Sequence, residues 1–173
     1  MTVFDTQFFE SSPPEGLYNV DIGMSDLNDF GQLQVFADLN SDKYTDMVTV
    51  RGGSGIFIHT YDYFTKMFTP WKDFNVDGCH QILSISVGRS SQTMRVFVTC
   101  EGSSGGTIVK LVDRIVVKKA ATAEEEFVFK TLPFVLKIET DSQPFIADLN
   151  GDFLEDIMYT DTNGASSQIL VAL

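Results

Sequence analysis

Apolar residues in this chain fall into short runs, rich in β-branched and aromatic side chains, that end at Gly, Asp, Asn or Ser; the spacing of an amphipathic helix is nearly absent. The runs cover residues 34–37, 47–50, 55–60, 81–87, 95–100, 107–112, 114–118, 126–130, 143–147, 156–160 and 168–172. Many short strands with turn chemistry between them predict an all-β fold. The glycines of 52–55 and 102–106 mark flexible turns, and 120–126 reads as the tip of a hairpin more readily than as a helical turn. Pro13 and Pro14 make 11–15 a loop or linker, so 1–16 is a lead-in.

Two of the intervening turns share a pattern. Residues 38–46 and 148–156 both read D-x-N-x-D-x-x-x-D, and a short apolar run ending in Ala introduces each. Oxygen-bearing side chains at loop positions 1, 3, 5 and 9, with a backbone carbonyl at 7, suit a hard cation with several oxygen ligands, Ca²⁺ above all. The expected ligands are Asp38, Asn40, Asp42 and Asp46 with the Tyr44 carbonyl, and Asp148, Asn150, Asp152 and Asp156 with the Leu154 carbonyl. An EF-hand would also need Gly at position 6 and Glu at 12, where this chain has Lys43 or Phe153 and Thr49 or Tyr159. Mg²⁺ fits less well, because its octahedral demand suits a flexible loop poorly. Asp and Asn favour turns without any metal. Three carboxylates crowded into each loop repel one another unless a cation offsets them, and the crowding occurs twice.

The stretch Ser86-Val87-Gly88-Arg89-Ser90, between apolar runs at 82–85 and 96–98, reads as a third copy near 86–95 that has lost its carboxylates. The intervals between the three copies suit one four-stranded propeller blade each, the second carrying an insertion near 117–127. A propeller ring needs roughly 4–8 blades. The expected architecture is therefore a single segment over 1–173, a partial β-propeller of about three blades, completed by remaining blades of the ring or by a self-association partner.

The chain has 173 residues, 43% of them hydrophobic, and a net charge of −12. That charge argues against nucleic acid, whose phosphates need clustered Lys and Arg. The stretch after Met1 lacks the basic start and apolar core of a signal peptide, and no apolar run is long enough to span a bilayer. Membrane insertion by this segment is not expected. Cys79 and Cys100 leave two readings open, a disulfide or two half-buried thiols. Catalytic patterns are thin: His59 and His80 sit in no triad or ligand spacing, and there is no G-x-S-x-G, Walker loop or C-x-x-C. Trp71, among Phe64, Phe68 and Phe74, reads as an aromatic plug between blades, with sugar stacking as its rival. Glu124 to Glu126 reads as a solvated charge run.

Asp29-Phe30-Gly31 followed by Asp38-Leu39-Asn40-Ser41-Asp42 resembles the FG-GAP repeat of integrin-α propellers. The stretches 36–46 and 144–152, the latter running on to Gln168-Ile169-Leu170, are similar to repeats of the T-cell immunomodulatory protein family, the integrin-α FG-GAP repeat-containing proteins; Leu17 to Val20 fits the lead-in. The resemblance implies loops binding Ca²⁺, two ions here, on one rim of a propeller. It further implies the ectodomain of a cell-surface or secreted glycoprotein that modulates T cells through protein–protein contacts. This chain departs from the family in its short length, in lacking a signal and an anchor, and in having Ser86, Gly88 and Ser90 where acidic ligands would stand. The expectation is a non-enzymatic extracellular binding module that meets a protein partner on a propeller rim. The alternative is the scaffold propeller of a Ca²⁺-dependent enzyme, such as a polysaccharide lyase or the GPI-specific phospholipase. A structural subunit of a large assembly is a third reading.

Overall fold

The computed structural model describes residues 31–90, 93–118, 125–138, 144–152, 155–161 and 168–172. Among them every regular element is a strand, and every pairing is antiparallel. The strands β1 (Gln32–Ala37), β2 (Asp46–Val50), β3 (Gly55–Asp62) and β4 (Met67–Asn75) make a first sheet in chain order. A second meander follows as β5 (Cys79–Ser90), β6 (Thr93–Gly102), β7 (Thr107–Lys118) and β8 (Glu125–Ile138). A third sheet holds β9 (Phe145–Ala147), β10 (Asp156–Asp161) and β11 (Gln168–Ala172) in the order β11-β10-β9. None of the sheets closes on itself.

The alternation of side chains along a strand decides how the sheets stack. Val96, Val98 and Cys100 of β6 pack with Val48, Val50, Ile56 and Ile58 of the first sheet. Phe97, between them in sequence, points the other way and packs with Val109, Leu111, Ile138 and Ile157, the last belonging to the third sheet. The middle sheet is thus apolar on both faces, which is why 96–98 reads as a continuous apolar run. Each fully buried aliphatic side chain in these two cores is worth about 1.5–3 kcal/mol relative to exposure. The sheets also meet in series: β1 contacts β5, and β5 contacts β9. A groove of about 730 Å³ lies among these first strands, lined in part by Val35, Ile85, Val87 and Ile146.

The fourth strands are the edges of their sheets, and each carries a proline at a break in register. Pro70 of β4 pairs His59 where the register with β3 shifts. Pro133 of β8 lies where the pairing with β7 jumps from Lys110↔Val135 to Val112↔Thr131. Proline lacks the ladder donor and is tolerated at edges and bulges. Trp71 sits beside the first of these breaks and packs edge-on against Phe127 and Phe129 of β8, while Phe74 stacks on Phe129. It is the expected plug between neighbouring sheets. Lys72 pairs with Glu126 at 2.6 Å across the same interface, so Glu126 is more than a solvated charge.

Three expectations need correction or completion. Ser86, Gly88 and Ser90 are not in a loop: they lie in β5, paired with Phe97, Arg95 and Thr93. The middle sheet continues its first hairpin where the outer sheets branch into acidic loops, so the described residues of the proposed degenerate copy near 86–95, namely 86–90 and 93–95, are strand. Residues 107–118 form one strand and not two. The cysteines form a disulfide, Cys79–Cys100, across β5 and β6 with Cα atoms 5.6 Å apart. The lead-in 1–16, Leu17 to Val20, Asp29, Phe30 and residues 120–124 of the expected hairpin tip lie outside the described residues, while Glu125 and Glu126 of that segment begin β8.

Candidate metal centre

Each acidic loop joins the first strand of its sheet to the second at the same register: Ala37 pairs Asp46, and Ala147 pairs Asp156. The last Asp of each pattern therefore opens a strand and is buried by it. From there it reaches back across the loop. The Leu39 amide donates to Asp46 Oδ2 at 2.8 Å, and the Leu149 amide donates to Asp156 Oδ2 at 2.8 Å. The Asp42 amide donates to Asp38 Oδ1 and Asn40 Oδ1 at 3.1 and 3.0 Å; the Asp152 amide donates to Asp148 Oδ1 and Asn150 Oδ1 at 3.2 and 2.9 Å. The Asn side chains donate to Asp42 and Asp152 in turn. Position 4 is left-handed in both, Ser41 with φ 65° and Gly151 with φ 81°. Two segments distant in sequence have folded into one loop shape because the same side chains accept the same amides.

The first loop has further ties. The Lys43 amide donates to Asp38 Oδ2 at 3.0 Å and the Tyr44 amide to Asp42 Oδ1 at 2.8 Å. The Tyr44 ring stacks on Tyr63 with centroids 5.4 Å apart. In the second loop, Phe153 and the expected ligand Leu154 lie outside the described residues.

Among the described residues no three His, Cys, Asp or Glu side chains converge closely enough to enclose an ion. The carboxylates of the first loop are instead turned onto its amides. One oxygen stands out. Asp46 is 0% exposed, and its Oδ1 accepts no hydrogen bond. Burial pushes this carboxyl up from 3.8 to about 6; the amides of Leu39 and Asn40 hold it down, and the Asp42 charge adds to the rise. A buried acceptor without a donor costs about 1–3 kcal/mol. A cation beside Asp46 would remove that cost and restore the ionised form. The oxygen donor set and this orphaned atom fit a Ca²⁺ ion.

Two residues outside the pattern bear on the loops. Arg114 of β7 donates through Nη1 to the Leu39 carbonyl at 2.7 Å and to Ser41 Oγ at 2.8 Å. The only sequence signal for it is a lone arginine on the face of β7 that also carries Ile108 and Val112. Glu155, beside Asp156, lies against Gly88 of β5; its Oε2 is buried and unbonded. Burial raises the Glu155 carboxyl, Arg95 lowers it and Asp148 raises it.

Consecutive antiparallel meanders stacked through their faces, with an acidic loop after the first strand of the outer two, define the class of this protein. Set beside protein-family models, curated proteins and solved structures, the chain matches none of them.

Proposed function

We propose that the chain is an arc of a β-propeller with FG-GAP-type blades, working as a non-enzymatic, extracellular binding module whose two acidic loops are held by Ca²⁺. The observation that carries this reading is the repeated loop: two distant segments with the same donors, a shared core of hydrogen bonds and the same strand register. The succession of β1, β5 and β9 is the order that first strands of neighbouring blades would take around an axis.

Asp38, Asn40, Asp42, Asp46 and the Tyr44 carbonyl would hold one ion. Asp148, Asn150, Asp152, Asp156 and the Leu154 carbonyl would hold the other. Calcium supplies charge neutralisation and rigidity there, with no part in a reaction. The resemblance to the T-cell immunomodulatory protein family supports a protein partner engaged through the loop-bearing rim.

Calcium removal tests the reading. A site saturated at a hundred times its dissociation constant adds about 2.7 kcal/mol to stability. EGTA is expected to lower the melting temperature and Ca²⁺ to restore it, with two ions counted by calorimetric titration. Asp42→Ala should abolish one ion and Asp152→Ala the other. A melting curve indifferent to EGTA returns both loops to ordinary turns.

A further inference from the structure

We propose that Arg114, reaching across from the middle sheet, is the positioning residue that sets the metal affinity of the first acidic loop and makes it the tighter of the two. The inference rests on the calcium reading above. By sequence the two loops offer the same side-chain donors, and among the described residues four internal hydrogen bonds recur in both. Their surroundings differ. Leu39 is fully buried in the core between the first two sheets, whereas the equivalent Leu149 is 48% exposed. One loop is docked on a neighbouring sheet; the other presents its corresponding residue to solvent.

Arg114 is the polar part of that docking. Its Nη1 takes the Leu39 carbonyl and Ser41 Oγ together, and its guanidinium lies over the Phe127 ring at 4.7 Å. The Leu39 carbonyl and the Asn40 amide belong to one peptide unit, and the Asn40 amide donates to Asp46 Oδ2 at 3.3 Å. The peptide is therefore held at both ends, by Arg114 on one side and by an expected ligand on the other. Ser41, in a left-handed conformation that a non-glycine residue adopts at a cost, is pinned by the same guanidinium. Among the described residues Arg114 bonds to no carboxylate oxygen, so it orders the loop without competing for the donors. Ordering a backbone residue costs conformational entropy, and a loop ordered in advance does not charge that cost to metal binding. A second effect opposes this one, since a guanidinium repels a cation. Its two bonds go to backbone and hydroxyl, away from the carboxylates, and ordering is expected to win.

The test isolates each loop. Calcium titration of the full chain carrying Asp152→Ala reads the first loop alone; the chain carrying Asp42→Ala reads the second. Arg114→Met keeps the apolar stem on Phe127 and removes charge and donors. It is expected to weaken the first loop by about tenfold or more, as the loss of partners that orient ligands commonly does, and to leave the second unchanged. Arg114→Lys, able to reach one of the two oxygens, should fall between. Ser41→Ala removes one of the two bonds with little risk to folding and should weaken the first loop by a smaller factor. First-loop affinity that is unchanged or tighter in both Arg114→Met and Ser41→Ala overturns the inference and leaves the calcium reading intact. If Arg114→Met weakens both loops, the decision falls to Ser41→Ala: selective weakening of the first loop supports the inference, and no change overturns it. An unsubstituted chain that binds no calcium overturns the calcium reading itself, and the inference with it.

Discussion

His59 and Asp46 show how a single buried group ties this fold to pH. His59 lies inside β3, paired with Met47 and Pro70, 3.4 Å from Thr49 Oγ1. Burial, and then the Arg51 charge, hold its pKa below 6.5. The unfolded chain then binds the proton more readily than the folded one, so stability is lost as pH falls below 6.5. Asp46 acts in the opposite sense without calcium. Its folded carboxyl keeps a proton to about pH 6, its unfolded one only to 3.8, so stability from this group is lost as pH rises through that window. The two trends overlap, and a difference measurement separates them. In EGTA, thermal melts of His59→Gln against the unsubstituted chain from pH 7 to 5 should show the variant losing less stability on acidification. Parallel profiles would mean that His59 is not held neutral by its surroundings. Gly31 shows a residue fixed by backbone conformation and space together: it has φ 72°, and an added Cβ would stand 2.0 Å from the Val50 carbonyl oxygen.

Among the elements, the β5–β6 hairpin is the most constrained. Cys79 opens β5 and Cys100 lies near the end of β6, so the disulfide ties the end of the strand pair remote from the Ser90↔Thr93 pairing. The middle sheet carries both cores, and a strand pair that splayed there would disturb each of them. Closing a loop of this sequence separation stabilises the fold by about 3 kcal/mol on the chain-entropy account. Cys79→Ser with Cys100→Ala should lower the urea midpoint accordingly and leave the calcium count at two. An unchanged midpoint would assign the stability of the hairpin to its packing alone.

For the whole molecule, the propeller reading makes a demand on its outer faces. Val35 and Ala37 of β1 pack into the first core, and Phe36 between them faces away, 49% exposed beside Phe68. Tyr44, Tyr63 and Phe64 are exposed nearby, and Phe145 is exposed on the third sheet. Apolar surface of this kind favours association. Expressed alone, residues 1–173 should self-associate in sedimentation experiments, either with copies of the chain or, when they are supplied, with further blades. A monodisperse monomer with one sharp melting transition would count against an open arc.

Much of this was legible in the chain before any folding was considered. Strand β11 coincides with the apolar run at 168–172, β2 lies within a residue of 47–50, and both acidic loops stand where the repeated pattern put them. Strand formation and turn chemistry depend on neighbours within a few residues, so the alternation of side chains and the Asp and Asn spacing carry them. Strand β4 was missed because an edge strand with Pro70 at a bulge needs no apolar alternation. Ser86 to Ser90 read as loop residues because Gly and Ser suit turns, and pairing with β6 overrode that preference. The Cys79–Cys100 bond, the Lys72–Glu126 pair and the reach of Arg114 to Leu39 belong to the tertiary structure alone. Local spacing says which face of a strand is buried; only the stacking of one sheet on the next decides which remote residue it is buried against.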